Sequence, residues 1–316
     1  MKKVLRVVGI SIAVVVLAIF GLGAFINFKA YPTFEEVTIP DLTVEITPER
    51  LAHGKKLVHA NCAGCHKSKN NVFEGTYFDD IDAEKAFGVI YTSNITQHPE
   101  HGIGQYSDGE LYRLLRTGVM KNNELALPVM PKWVICSDED IYAMIAYLKS
   151  DDKYMQASDK QHPAYEPTFL AKALKNFAFK PAPYQASYHE IPSLEDSIAY
   201  GEYAVNAVYG CYFCHSKNME EWDVFEPKNT PNYLGGGYVF NTSEHEVTAS
   251  RLIMDDQSDI GKWSKVEFLD ALKYGQREGK EAYKMPMKPY VYLDTAEVNA
   301  IYYYLKDYSS KLAVAE

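Results

Sequence analysis

The chain has 316 residues, 47% of them hydrophobic and 23% charged; this is a globular composition with room for two ordinary domains, and it excludes a disordered or collagen-like chain. Its net charge is −10, and the bases Lys2, Lys3, Arg6 and Lys29 are unopposed within residues 1–30, so residues 31–316 carry −14. Such a surface excludes nucleic acid as a partner and favours a basic protein, because opposite charge speeds encounter.

Residues 1–29 read as a membrane anchor. Within them, residues 7–28 form an uncharged apolar run of 22, about 33 Å long as a helix, which matches a bilayer core. The basic flank of Lys2, Lys3 and Arg6 keeps the N-terminus cytoplasmic and directs the rest to the periplasm or outer side of the inner membrane. A cleaved signal peptide is the alternative. Its apolar region is shorter, about 7–15 residues, and is followed by a small-x-small site. Gly21–Gly23 fits that site only loosely, in the middle of the run, so an uncleaved single-pass anchor is the reading taken. Residues 30–46, with Pro32 and Pro40, tether the anchor to the globular part of the chain.

Two units come next, residues 47–158 and 193–316, with one order of elements. A helix opens each, over residues 48–62 and 193–211; Thr47 and Pro48 suit the N-cap and first turn of the first. Gly54 and Gly201 lie inside these helices, where glycine costs about 1 kcal/mol; close approach of another helix would compensate. A helix of about ten residues is expected after Ser107 and after Ser264. A periodic helix closes each unit, over 137–149 and 294–306, and the second starts with the capping-box pattern of Asp294 and Glu297. Tyr147 and Tyr304 hold matching positions in these last helices and are expected to face the first helix near its glycine. The proline-rich stretch 159–192 reads as an extended linker with one short helix over 168–179. Residues 227–240 read as a glycine-containing loop; lacking a strand–helix context, it is not a phosphate loop.

The chemistry lies in the cysteines. Four of the five form Cys62-Ala-Gly-Cys65-His66 and Cys211-Tyr-Phe-Cys214-His215. CxxCH is the attachment signature of c-type haem: each cysteine makes a thioether to the macrocycle, and the histidine becomes an iron ligand. Two covalently bound haem c groups are therefore expected, held by Cys62, Cys65, Cys211 and Cys214, with His66 and His215 on iron. A zinc site would bring two such pairs together and leave the histidines unexplained. A thioredoxin-like CxxC would sit in a βαβ pattern, which is absent. Cys136 lies in an apolar stretch and reads as an inert buried thiol.

Internal repetition supplies the remaining ligands. Residues 107–149 align without a gap on 264–306, an offset of 157 that matches Glu110 with Glu267, Gly118 with Gly275 and Met130 with Met287. Thioether sulfur is a soft ligand that raises a haem potential, so Met130 and Met287 are read as the second axial ligands. Met285 competes with Met287, because Met285-Pro286 resembles Met130-Pro131; the ungapped register favours Met287. Met120 competes weakly with Met130. Met144, Met155, Met219 and Met254 read as core filler. His53, His59, His98, His101, His162, His189 and His245 do not recur at matching offsets and read as solvated surface residues.

On these residues the chain resembles the tandem cytochrome c domains of bacterial membrane-bound alcohol and sugar-acid dehydrogenases. The first unit carries Asn94-Ile95-Thr96, Gly102-Ile103-Gly104, Leu115-Arg116-Thr117-Gly118 and Met130-Pro131 in the family's order. The second keeps Ile260-Gly261-Lys262-Trp263-Ser264 and Met287, with Arg251-Leu252-Ile253 where Asn-Ile-Thr would stand. The resemblance covers residues 48–150 and 195–308, and those subunits commonly carry three haem domains rather than two. It implies an all-α fold of two tandem class I-like cytochrome c domains behind an N-terminal transmembrane helix. Two haem domains behind an anchor are also similar to the cytochrome subunits of some terminal oxidases. The implied function is electron transfer between respiratory-chain partners, which would be other redox proteins or subunits of a membrane complex with a basic docking surface. The competing class is a haem enzyme, dihaem peroxidase-like or thiosulfate-oxidising, which needs one open or exchangeable iron position. A methionine candidate for each haem argues against it.

Overall fold

The computed structural model describes residues 2–184, 190–217, 221–277, 279 and 281–315; His189 and Met219 lie outside them. Helix α1, Lys2–Phe28, spans 27 residues, and its most apolar stretch has a mean hydropathy of 2.7 and is wholly unburied by the rest of the chain. It is long and apolar enough to cross a membrane, by length and composition. The segment after it has no regular structure but is not loose. Phe34 packs with Val119 and Leu125, and Val44 N–H donates to the Asp108 carboxylate at 2.7 Å. What reads as a tether is thus laid along the first unit as part of its core.

Helices α2 (Pro48–Asn61), α3 (Ala63–His66), α4 (Ile81–Phe87), α5 (Asp108–Thr117) and α6 (Asp138–Leu148) make the first unit. Thr47 caps α2 by accepting from Arg50 N–H, with Pro48 in the first turn. Ser107 and Glu110 close a capping box on α5, and Gly118 ends it in the left-handed region. The core forms where α2 crosses α6, around Leu57, Val58, Ile141, Met144 and Ile145. Helix α7, Phe169–Phe177, belongs to the linker, which runs over the first unit: Tyr165 donates to Phe87 O, and Lys175 pairs with Glu124 at 2.8 Å.

The second unit repeats these parts. Its elements are α8 (Ser197–Tyr203), α9 (Cys211–Cys214), α10 (Lys265–Tyr274) and α11 (Thr295–Ala315), with a core of Val205, Leu234, Val298, Ile301 and Leu305. Ser264 and Glu267 repeat the capping box, and Gly275 the left-handed end. Two features depart from the expectation. The helix before the second CxxCH is not continuous: α8 gives way to a π-turn over Ala204–Val208, and Gly210 reverses the chain at φ +56. The reason is length. Ten residues separate Gly201 from Cys211, against eight between Gly54 and Cys62, and a π-bulge takes up surplus residues in a helix. The unit is also not purely helical. Strand β1 (Val239–Asn241) pairs antiparallel with β2 (Glu246–Thr248), so the loop expected over 227–240 ends in a strand. Aromatic and β-branched residues flanking a polar turn are a hairpin pattern.

Both helical glycines mark a crossing. A Cβ at Gly54 would lie 1.9 Å from Ala143 O and 2.9 Å from Tyr147 Cβ; at Gly201 it would lie 2.1 Å from Ala300 O and 2.7 Å from Tyr304 Cβ. Backbone cannot yield by that much, so Gly54→Val should destabilise the protein by about 3 kcal/mol or more, read as a lowered midpoint in thermal unfolding. A change within about 0.5 kcal/mol, ordinary for a surface site, would mean the helices do not cross this closely.

The units interlock. Lys56 reaches Glu297 at 2.9 Å, and Glu297 also accepts from Tyr200 and from Asp294 N–H at the start of α11. Tyr203 donates to the buried Asp140 carboxylate and accepts from Ser137 N–H, while Trp133 donates to Val208 O at 3.2 Å. The hairpin joins through Ser243, bonded to Asp79 at 2.9 Å.

Candidate haem-binding sites

The first CxxCH occupies α3 and the residue before it. Cys62 closes α2, and the next short helical turn carries Cys65 and His66. One turn thus presents two sulfurs and an imidazole. His66 Nδ1 lies 2.8 Å from Ser93 O, and since a carbonyl only accepts, Nδ1 carries the proton. That bond orients the ring and leaves Nε2 with its lone pair. Gly75 N–H returns to His66 O at 2.8 Å, fixing the turn from the other side.

The second CxxCH is built alike. His215 Nδ1 donates to Ser250 O at 2.7 Å, and Gly236 N–H donates to His215 O at 2.9 Å. The methionine loops also return alike: Trp133 N–H donates to Leu115 O and Tyr290 N–H to Leu272 O, each at 2.9 Å. Those four residues are paired by the offset of 157, and each donor stands three residues past its methionine. Met130 packs against the first core. Met287 lines a cavity of about 500 Å³ whose wall includes Cys211, Cys214 and His215. Met285 is 49% exposed and is not on that wall.

The donor sets fit haem c. Imidazole Nε2 stands ready in each half, and in the second half the sulfur of Met287 shares a cavity with it. Trp263, Phe268, Leu272 and Ile301 give that cavity an apolar lining suited to a macrocycle. Arg277 is also on its wall and keeps a buried Nε without a partner among the described residues, as a haem carboxylate would require. Burial pushes the Cys62 and Cys211 thiols up to about 12 and Cys214 to about 11. A reactive redox dithiol needs a lowered thiol, so these pairs are poor candidates for that chemistry. Among the described residues no three His, Cys, Asp or Glu side chains converge on one point, as a structural zinc site requires. Desolvation lowers both His66 and His215, partly opposed by their bonds to the carbonyls.

Other sequence candidates lie elsewhere. Cys136 is fully buried beside Asp140 and Tyr203, and burial raises its thiol. The histidines are less solvated than expected. His59 is only 5% exposed, bonded to Tyr147 OH at 3.1 Å, and burial pushes it down to about 4, so it stays neutral. It lies on the buried face of α2 against Phe73 and Tyr154 of the first unit and Tyr292 of the second. His53 faces Asp140, His162 bonds Glu74 O, His245 bonds Met285 O, and His98 stacks on His101. Met144 and Met155 are core, Met254 packs on the second core, and Met120 receives Arg113 at its carbonyl.

Two contributors are not among the site residues that the sequence points to. Arg116, buried in α5, donates to Trp133 O at 2.7 Å, Cys136 O at 2.6 Å and the Asp138 carboxylate at 2.6 Å, which braces the chain just after Met130. Its counterpart at the offset of 157 is Lys273. Lys288 is the other. It lines the second cavity, yet it lies close to the first CxxCH.

Residues 49–148 match the family model described as cytochrome C oxidase, cbb3-type, subunit III. The cytochrome c subunit of a quinone-dependent alcohol dehydrogenase from Komagataeibacter europaeus is 26% identical over 221 residues, 68% of this chain and 46% of the relative. The gluconate 2-dehydrogenase cytochrome c subunit of Pantoea cypripedii is 26% identical over 268 residues, 82% and 59% of the two chains. The fructose dehydrogenase cytochrome subunit of Gluconobacter japonicus is 26% identical over 262 residues, 80% and 51%. The chain thus spans about half the length of the curated relatives it matches. Residues 49–148 are a cytochrome c family domain, which implies covalent haem c, and the chain is a distant homologue of dehydrogenase cytochrome c subunits.

Proposed function

We propose that the chain is a membrane-anchored dihaem c-type cytochrome: two tandem cytochrome c domains, residues 47–158 and 193–316, joined by the linker 159–192 and held by α1 with both domains on the periplasmic or outer side. The observation that carries this is the repeated site. Two CxxCH turns each bond the histidine Nδ1 to a carbonyl, and two methionine loops return on the same backbone pair. Cys62 and Cys65 hold one haem and Cys211 and Cys214 the other. His66 and His215 present Nε2 to iron, kept in one tautomer by Ser93 and Ser250. Met130 and Met287 would supply sulfur as the second protein ligand to each iron, and the apolar wall around Met287 keeps water away. Haem c bound there supplies a one-electron iron couple. With His and Met both committed, neither site keeps a position for substrate, so the work is electron transfer rather than turnover.

The relatives named above are subunits of quinone alcohol, gluconate and fructose dehydrogenases. On that basis the partners are other redox subunits of a membrane respiratory complex, and the charge of −14 on residues 31–316 favours a basic docking surface. Protein purified in detergent from the membrane fraction should have the intact mass of the complete chain plus two haems that resist acid–acetone extraction. One haem, or a soluble product starting near residue 24, would overturn the corresponding half of this reading.

A further inference from the structure

We propose that Lys288 is an electrostatic element shared by the two haem sites, its ammonium raising the reduction potential of both. The inference rests on the reading that both CxxCH turns carry haem. Lys288 follows Met287 in the second unit and lines the cavity with Cys211, Cys214 and His215. Its side chain then leaves that unit. A Cβ at Gly64 would lie 2.9 Å from Lys288 Nζ, 3.4 Å from Cδ and 3.5 Å from Cε. Gly64 is the second intervening residue of Cys62-Ala-Gly-Cys65, so a lysine of one unit ends against the attachment turn of the other. Room for it exists because that residue is glycine; the second motif has Phe213 at the same place.

The side chain thus lies between the two motifs, on one wall with Cys211, Cys214 and His215 and with its ammonium against Gly64 of the other; burial lowers its pKa. Among the described residues no carboxylate lies within ion-pair distance of it. A positive charge stabilises reduced iron, which carries one positive charge fewer, over oxidised iron. A half-buried charge does so with less screening by salt than an exposed one. One lysine at the seam therefore acts on two potentials together, which charges confined to either unit would not do.

Equilibrium redox titration of the two-haem protein tests this, with the midpoints assigned by variants lacking one CxxCH. Lys288→Gln should lower both midpoints, so that at fixed ambient potential each reduced-to-oxidised ratio falls roughly tenfold, or about 59 mV for a one-electron couple. Lys288→Arg should stay within about threefold of the parent. Gly64→Val, which takes away the ammonium's place against the first motif without touching the methionine loop, should shift the midpoint of the second haem as well. Unchanged midpoints in Lys288→Gln, or a shift confined to the second haem, overturn the proposal. If Lys288→Gln also loses the Met287 ligation band, Gly64→Val decides alone: a shift of the second haem sustains the proposal and no shift overturns it. Protein with fewer than two haems would sink the two-haem reading instead.

Discussion

Replacing Cys62 and Cys65 together with alanine should leave a protein with one haem, held by Cys211 and Cys214, and with half the haem absorbance of the parent. Cys62 and Cys211, the first sulfur of each pair, sit in separate cores. Cys62 belongs to the first, packed with Leu57, Val58 and Phe73, whereas Cys211 packs against the second. Each turn is fixed by its own local bonds, His66 to Ser93 and His215 to Ser250, and neither set borrows from the other unit. The contacts of Lys56 with Glu297 and of Tyr203 with Asp140, which join the units, are not touched by the substitution. Without thioethers the first haem is held only by His66 and Met130, and acid–acetone removes it. The mirror variant, Cys211→Ala with Cys214→Ala, should keep only the first haem. Tryptic peptides bearing the haem mass identify which site survives. Retention of both haems would remove the CxxCH assignment. Loss of both, with near-ultraviolet circular dichroism showing an intact second unit, would remove the independence of the sites.

What the chain makes legible in its sequence is whatever is local. CxxCH needs one helical turn, and it lies on one in both halves. The capping boxes at Ser107 and Ser264 and the left-handed glycines at 118 and 275 are set by neighbours within a few residues, and they stand where the pattern places them. Gly54 and Gly201 go one step further. A glycine that a helix disfavours points to a crossing, and Ala143 and Ala300 occupy those crossings. What was not legible depends on contacts between residues distant in the chain. His59 has the look of a polar helix residue, and its burial comes from Phe73, Tyr147 and Tyr154 of its own unit together with Tyr292 across the seam. Lys288 reads as an ordinary surface charge until Gly64 is seen opposite. Arg116 stands in the motif Leu115-Arg116-Thr117-Gly118, but that motif does not show the three partners it collects across the methionine loop. The π-turn before Cys211 had a readable signal, the two extra residues between Gly201 and Cys211, which an alignment anchored only after Ser264 leaves outside its range. The hairpin over 239–248 had one as well, in the alternation on either side of its polar turn.

Substitution of the methionines should divide the near-infrared sulfur-to-iron charge-transfer band of the oxidised protein. Met130→Ala and Met287→Ala should each abolish about half of it, and Met285→Ala should leave it intact. Sequence alone sets two methionines against each other in the second half, since Met285-Pro286 copies Met130-Pro131 while Met287 keeps the ungapped register. Backbone bonds bear on the choice. Trp133 and Tyr290 make the same bond to the same helix position, Leu115 and Leu272, so the chain has the same length on each side between methionine and anchor only if Met287 is the partner of Met130. Met285 would need two further residues in that span. Its side chain is 49% exposed, and its carbonyl accepts from His245, which holds the backbone on the outer side of the loop. A thioether is a weak ligand, so the loop that carries it must be stiff. Pro128 and Pro131 restrict the first loop, with Arg116 bracing the segment after Met130; Pro286 and Pro289 restrict the second, where Lys273 replaces the arginine. The second ligation is accordingly the easier to displace, and the Met287 share of the band should be the first lost on mild heating. Loss of the band in Met285→Ala with retention in Met287→Ala would reverse the assignment in the second domain. Absence of the band from the parent protein would remove both methionines and return the sites to bis-histidine or open coordination.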